Sequence, residues 1–149
     1  MKTFFALATL LCVAAITQAQ WTSQPNQPPA FHATPPAEGQ VLPPVLTEKQ
    51  LAQQGLIQPA QIAAYKAAAK AGAVMYQMPC YCYCDKSHGH TSLHSCFEGT
   101  HGANCGTCMA EALYAYQMSA KNKSAKTIRD GIMRGDWKAV DLQHPEPVN

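Results

Sequence analysis

The sequence is short of charge, and neither sign gathers into a face: 11 Lys and Arg stand against nine Asp and Glu in 149 residues. Without a basic stripe, the electrostatic footprint of a nucleic-acid partner is missing. Sustained apolar/polar alternation is missing too, apart from Cys80 to Cys84, which is too short and isolated to build a sheet. Beyond the N-terminal segment no apolar run reaches the ~20 residues of a membrane-spanning helix. No glycine-rich phosphate loop and no serine-nucleophile motif occurs. Carboxylates are scarce where the chemistry is dense: Asp85, Glu98 and Glu111 each read as a solvated loop or helix-surface charge. These absences point to binding rather than catalysis.

What is present begins with a secretory pattern. Lys2 supplies the positive start, Phe4 to Ile16 the apolar stretch, and Thr17-Gln18-Ala19 a small-residue cleavage site. Residues 1–19 are therefore expected to be a signal peptide and the protein to be exported, without a membrane span. Cys12 lies in the apolar run without the small residues that precede a lipoprotein cysteine, so a soluble periplasmic or secreted form is expected. Residues 20–45 are proline-rich, with seven prolines between Trp21 and Pro44. Their composition predicts a disordered tether, with Trp21 and Phe31 as residues able to dock on a partner. A helical domain is expected over 46–143, with a short tail over 144–149.

Within that domain, Thr47 and Gln50 form a capping-box pair and Leu46 can staple onto Leu51. Gly55 ends the first short helix. Pro59 starts a second, with Ile57 placed to meet Ile62. Its apolar face reads as Ile62, Tyr65, Ala69, Gly72 or Ala73, and Tyr76, and its end falls near Gln77 because Pro79 disfavours helix at Met78. The small residues on that face predict a close-packed neighbour. Thr91 can cap a short turn through Phe97. A further helix starts near Asn104 and reaches about Ser119, with a stripe of Met109, Leu113 and Tyr116. Ser124 caps the last helix, which turns Ala125, Ile128 and Ile132 inward, and Gly135 stops it. Trp137 closes the core. The fold class is all-α, four or five short helices around a Cys/His-rich loop.

The chemistry is concentrated between Cys80 and Cys108, where ten cysteines and histidines fall within 29 positions. Cys80, Cys82 and Cys84 alternate with Tyr81 and Tyr83. Next-but-one residues of a strand lie about 6.5 Å apart, too far for two sulfurs that share one ion through bonds of about 2.3 Å. The segment therefore either curls or spans more than one metal. Downstream, His101, Cys105 and Cys108 fall at i, i+4 and i+7, one face of a helix. A helix starting at Asn104 would instead put Cys105 and Cys108 in its first turns, where the dipole favours thiolate. His88, His90 and His94 add imidazoles, and Cys96 adds a sulfur.

Three readings compete. In the first, Cys80, Cys82, Cys84, Cys96, Cys105 and Cys108 hold a soft metal, copper(I) or zinc, with His101, His90 and His94. A delivery partner would then be a metal-exchanging protein. In the second, the same six cysteines pair as disulfides in an oxidising compartment. In the third, Cys105-Gly-Thr-Cys108 is a thiol-redox pair, although the alternating strand and helix pattern that usually surrounds one is missing. A c-type haem is disfavoured more strongly, because Met109 rather than histidine follows Cys108. Met78 and Met109 read as packing residues.

At Pro79-Cys80-Tyr81-Cys82-Tyr83-Cys84 the chain resembles a bacterial family of exported or lipid-anchored proteins named for the motif Pro-Cys-Tyr-Cys-Gly-Cys, whose function is uncharacterised. Gly89-His90, Ser95-Cys96-Phe97 and His101 to Cys108 share the resemblance. It implies a bacterial extracytoplasmic protein whose defining residues are the six cysteines, and it implies no activity. Tyr83 stands where the motif has glycine.

Overall fold

Thr47 begins the ordered helices as its side chain predicts. Its Oγ1 accepts from the Gln50 backbone N–H, Gln50 returns the bond to the Thr47 N–H, and α1 (Glu48–Ala52) follows with Leu51 buried. The computed structural model describes residues 27–149, so the expected signal peptide and the first part of the proline-rich segment lie outside the described residues. Among those described, every regular element is helical.

Gln58 and Gln61 form the second reciprocal cap, and Pro59 occupies the first position of α2 (Pro59–Lys70). Ile57 does not act as a buried staple, since it is 67% exposed. The helix ends earlier than its sequence pattern suggests. The backbone leaves helical geometry at Ala71, with φ −112° and ψ 26°, before the single turn of α3 (Gly72–Met75). The step lets Gly72 lie against the ring of His94, whose atoms would stand 3.4 Å from a β-carbon there. The buried face is rotated relative to the expected one: Ala64, Tyr65, Ala67, Ala68 and Ala71 point inward, whereas Ala69 is exposed.

The close-packed neighbour is α5 (Gly106–Ala120), the main partner of α2. Ala112 and Ala115 are buried in the same core cluster as Ala64, Ala67 and Ala68 of α2, and such small side chains let helix axes approach closely. Here too the stripe is shifted, with Cys108, Glu111, Ala112 and Ala115 buried and Met109 and Tyr116 only partly covered. Ser124 caps α6 (Ala125–Arg134) by accepting from Thr127 N at 3.2 Å, Ile128 and Ile132 are buried, and Gly135 ends the helix at φ 86°. A final 3-10 turn, Asp136–Ala139, packs Trp137 against the core. Leu51, Met75, Met78, Leu93, Phe97, Leu113, Ile128 and Ile132 fill the centre.

Residues 27–46 form no helix or strand, as their prolines require, yet they make specific contacts with the domain. Pro29 is buried, and Ala30 N donates to Asp85 Oδ2 at 3.1 Å. The His32 ring stacks on Tyr76 with centroids 3.7 Å apart. Phe31 lies under the Arg129 guanidinium at 4.8 Å, a cation–π contact within its own chain. Leu46 N donates to Phe97 O at 3.0 Å, joining the segment to the Cys/His region.

Candidate metal centre

The arm from Cys80 to Cys84 is curled. Tyr83 N–H donates to Cys80 O at 3.1 Å, and Tyr83 itself takes the left-handed conformation, φ 58° and ψ 31°. That reversal starts α4 (Cys84–His88), which Gly89 ends at φ 67°. The Sγ atoms of Cys80 and Cys82 consequently stand only 3.4 Å apart.

The facing half comes from two 3-10 turns and the start of α5. Leu93–Phe97 carries Cys96, and His101–Asn104 carries His101. The chain turns extended at Cys105, φ −131° and ψ 110°, so His101, Cys105 and Cys108 do not share one continuous helix. A side chain of α2 holds the second turn: Tyr65 donates its hydroxyl proton to Gly99 O and accepts from Ala103 N at 3.2 Å. Gln61 Nε2 donates to Ala103 O at 3.0 Å. Gly102 allows the two turns to meet, because a β-carbon there would come within 2.8 Å of the Phe97 ring and 2.9 Å of Cys96 O.

Six sulfurs and one imidazole converge between these halves. Cys80 Sγ lies 3.5 Å from Cys108 Sγ, which lies 3.5 Å from Cys82 Sγ, and Cys84 Sγ lies 3.4 Å from Cys96 Sγ. His101 Nε2 is 3.5 Å from Cys82 Sγ. Three groups of four have all ligand atoms within 4.8 Å of one another: Cys80, Cys82, Cys96 and Cys108; Cys82, Cys84, Cys96 and His101; and Cys82, His101, Cys105 and Cys108. Sulfurs around a tetrahedral ion with bonds of about 2.3 Å are about 3.8 Å apart, so small movements complete the coordination. The six cysteines of this cluster form no disulfide in the structure.

The thiols polarise one another. Hydrogen bonds from Cys105, Cys108 and Cys80 hold the Cys82 thiol far below the usual cysteine range, despite partial burial. Bonds with Cys80 and Cys96 bring Cys84 down to about 3. Cys80 is pushed up, because it keeps its proton between Cys108 and Cys82. The arrangement thus concentrates negative charge on Cys82 and Cys84, the form in which sulfur binds metal.

Of the other candidate ligands, His90 stands beside the sulfurs, Nδ1 3.4 Å from Cys96 Sγ. His94 does not join them: its Nδ1 pairs with Glu98 Oε1 at 3.1 Å, and its ring is buried against Gly72. His88 is exposed, with its ring 4.5 Å from that of His101 and 5.6 Å from that of His90. Met78 is fully buried in the core, and Met109 packs partly buried against it.

Glu111 corrects the reading of it as a solvated charge. It is fully buried, and Tyr81 N–H donates to its two carboxylate oxygens at 3.0 and 3.3 Å. Burial pushes its carboxyl up to about 8, against the opposing pull of Cys80 and the Tyr81 amide. Glu111 therefore ties the cysteine arm to α5. Its one sequence signal was position, since it lies three residues beyond Cys108 on the same inward face.

The model of a protein family of unknown function with a PCYCGC motif matches residues 37–139. The chain belongs to this family. The match runs from the proline-rich segment through the cysteine arm to the turn after α6. Comparison with curated proteins and with solved structures gave no match. The PCYCGC motif puts glycine where this member has Tyr83, and the left-handed backbone there is the conformation glycine adopts most readily. No helix among the described residues is long and apolar enough to cross a membrane.

Proposed function

We propose that this PCYCGC-family protein is an exported, non-enzymatic binder of soft metal, copper(I) or zinc, that sequesters the ion outside the cytoplasm or hands it to a partner. The observation that carries the reading is the convergence of three four-ligand groups drawn only from cysteine and histidine. Thiolate selects soft and borderline ions over hard ones, and mixed Cys/His sets suit both metals named. A hand-over role is supported by the exposed His88 ring beside the half-buried His101 and His90, which links solvent to the sulfurs. Export is supported by the secretory pattern of residues 1–19.

The deciding experiment is metal analysis of protein purified from the exported fraction without added metal. At least one equivalent of copper or zinc, lost to a chelator with return of free thiols, is the expected result. Less than about half an equivalent, with all six cysteines oxidised and the mass lowered by six hydrogens, would establish the disulfide alternative instead. The redox alternative requires reduction of insulin that disappears in Cys105→Ser, and no such turnover is expected.

A further inference from the structure

From the way the three ligand groups overlap, we infer that the centre is polynuclear, with Cys82 as the thiolate that bridges the ions. This deepens the metal-binding reading above and rests on it. Cys82 belongs to all three groups, Cys96 and Cys108 to two each, and Cys80, Cys84 and Cys105 to one each. Any single group leaves at least two of the six cysteines without a metal. The thiols left over are not remote. With an ion among Cys80, Cys82, Cys96 and Cys108, Cys84 still stands 3.4 Å from Cys96 Sγ, and His101 Nε2 stands 3.5 Å from Cys82 Sγ. Those four atoms form the second group. A second ion there shares Cys82 and Cys96 with the first.

Sulfur chemistry permits the sharing. A thiolate has lone pairs enough to bind two or three ions at once, whereas an imidazole nitrogen has a single pair and serves one. His101 Nε2 therefore completes either the group with Cys84 or the group with Cys105. His90 lies beside Cys96 but belongs to none of the three groups, so within them three ions are held only if one accepts three ligands. Copper(I) does so readily, whereas zinc in structural sites keeps four ligands. The donor set accordingly takes three copper(I) ions or two zinc ions. No electron moves in loading: each thiol that becomes a ligand releases its proton to solvent.

The full exported chain, reduced and kept free of oxygen, is titrated with copper(I) and separately with zinc, and the bound ions are counted by native mass spectrometry. Saturation at three copper or two zinc ions is expected. Cys82→Ser should lose at least two copper ions, and Cys105→Ser at most one. Saturation at a single ion per chain, or equal losses from the two variants, overturns the bridged cluster while leaving metal binding intact. Binding of no ion overturns the metal reading itself. Because Cys82→Ser can fail to fold, cobalt(II) loading of the unaltered chain gives an independent readout. A thiolate bridge couples neighbouring cobalt ions, so the paramagnetic resonance intensity per ion should fall as the second equivalent enters. Full, uncoupled intensity at two equivalents overturns the bridge.

Discussion

Tyr83 holds φ 58° in the middle of the cysteine arm, the conformation in which a β-carbon crowds the carbonyl oxygen. The cost is about 1–2 kcal/mol. Its ring recovers part of that through the edge contact with Tyr81, centroids 5.9 Å apart, and the ammonium of Lys86 at 5.1 Å. Tyr83→Gly removes the strain and also these contacts, and it enlarges the unfolded ensemble. It should lie within about 1 kcal/mol of the parent in urea denaturation of the metal-free protein. Tyr83→Val, β-branched at a left-handed position, should cost about 2 kcal/mol or more. A second expectation at this scale concerns Glu111. Its carboxyl, raised to about 8 chiefly by burial, keeps its proton in the folded chain where the unfolded chain has lost it. The stability it contributes is complete below the usual glutamate range and is lost as pH rises through about 8. Metal-free protein should therefore weaken between about pH 5 and 8, and Glu111→Gln should flatten that slope. An identical slope in the variant would place the titrating group elsewhere.

The elements show which features local chemistry specifies. Most caps were legible in the sequence: Thr47 with Gln50, Pro59, Ser124 and Gly135 each act on their nearest backbone groups and stand where the sequence placed them, whereas Thr91 does not cap the Leu93–Phe97 turn, whose N-cap is Ser92 without a side-chain bond. The centre was legible as two halves, the Cys80 to Cys84 arm and the His101 to Cys108 segment. What escaped depends on distant partners. The break at Ala71 and the rotated face of α2 follow from packing against His94 and α5, and alanine-rich stretches have too little contrast to reveal such a face. The curl of the arm rests on a left-handed tyrosine and on Glu111 from another helix, and neither leaves a periodic signal. His94 looked like a ligand because it lies among ligands in sequence, but its turn directs it to Glu98. The same long-range logic makes α2 a positioning element for the centre. Tyr65→Phe removes the bond to Gly99 O and one of the two acceptors of the buried Ala103 N–H, which keeps Thr100 O at 3.1 Å, a loss of about 0.5–1.5 kcal/mol. Because the freed turn carries His101, metal should also bind more weakly in competition with a chelator. Unchanged affinity beside lowered stability would show that the turn is held by other contacts.

At the scale of the whole molecule, the sulfur cluster and the apolar core are adjacent but differently composed. Cys80, Cys84, Cys96 and Cys108 join the buried core, but most of that core, Leu51, Met75, Leu113, Ile128 and Ile132 included, is apolar side chains of the helices, while the ligands come from the arm, two short turns and the first turn of α5. Metal should therefore reinforce a fold that already exists, unlike small zinc modules that are unfolded without their ion. Stripped of metal and kept reduced, the protein should retain its helical circular dichroism and a cooperative thermal transition. An ion that binds the folded chain alone raises stability by about 2.7 kcal/mol when its free concentration is about a hundred times Kd, which moves Tm by on the order of 10 °C in a domain of this size. The gain should vanish on chelation and be smaller in Cys82→Ser, which belongs to every ligand group, than in the unaltered chain. Collapse of the helical signal on metal removal would mean that the core does not stand alone. Retention of helix with no shift in Tm on loading would mean that copper and zinc do not enter the cluster at all, so one melting series separates a metal-reinforced domain from both alternatives.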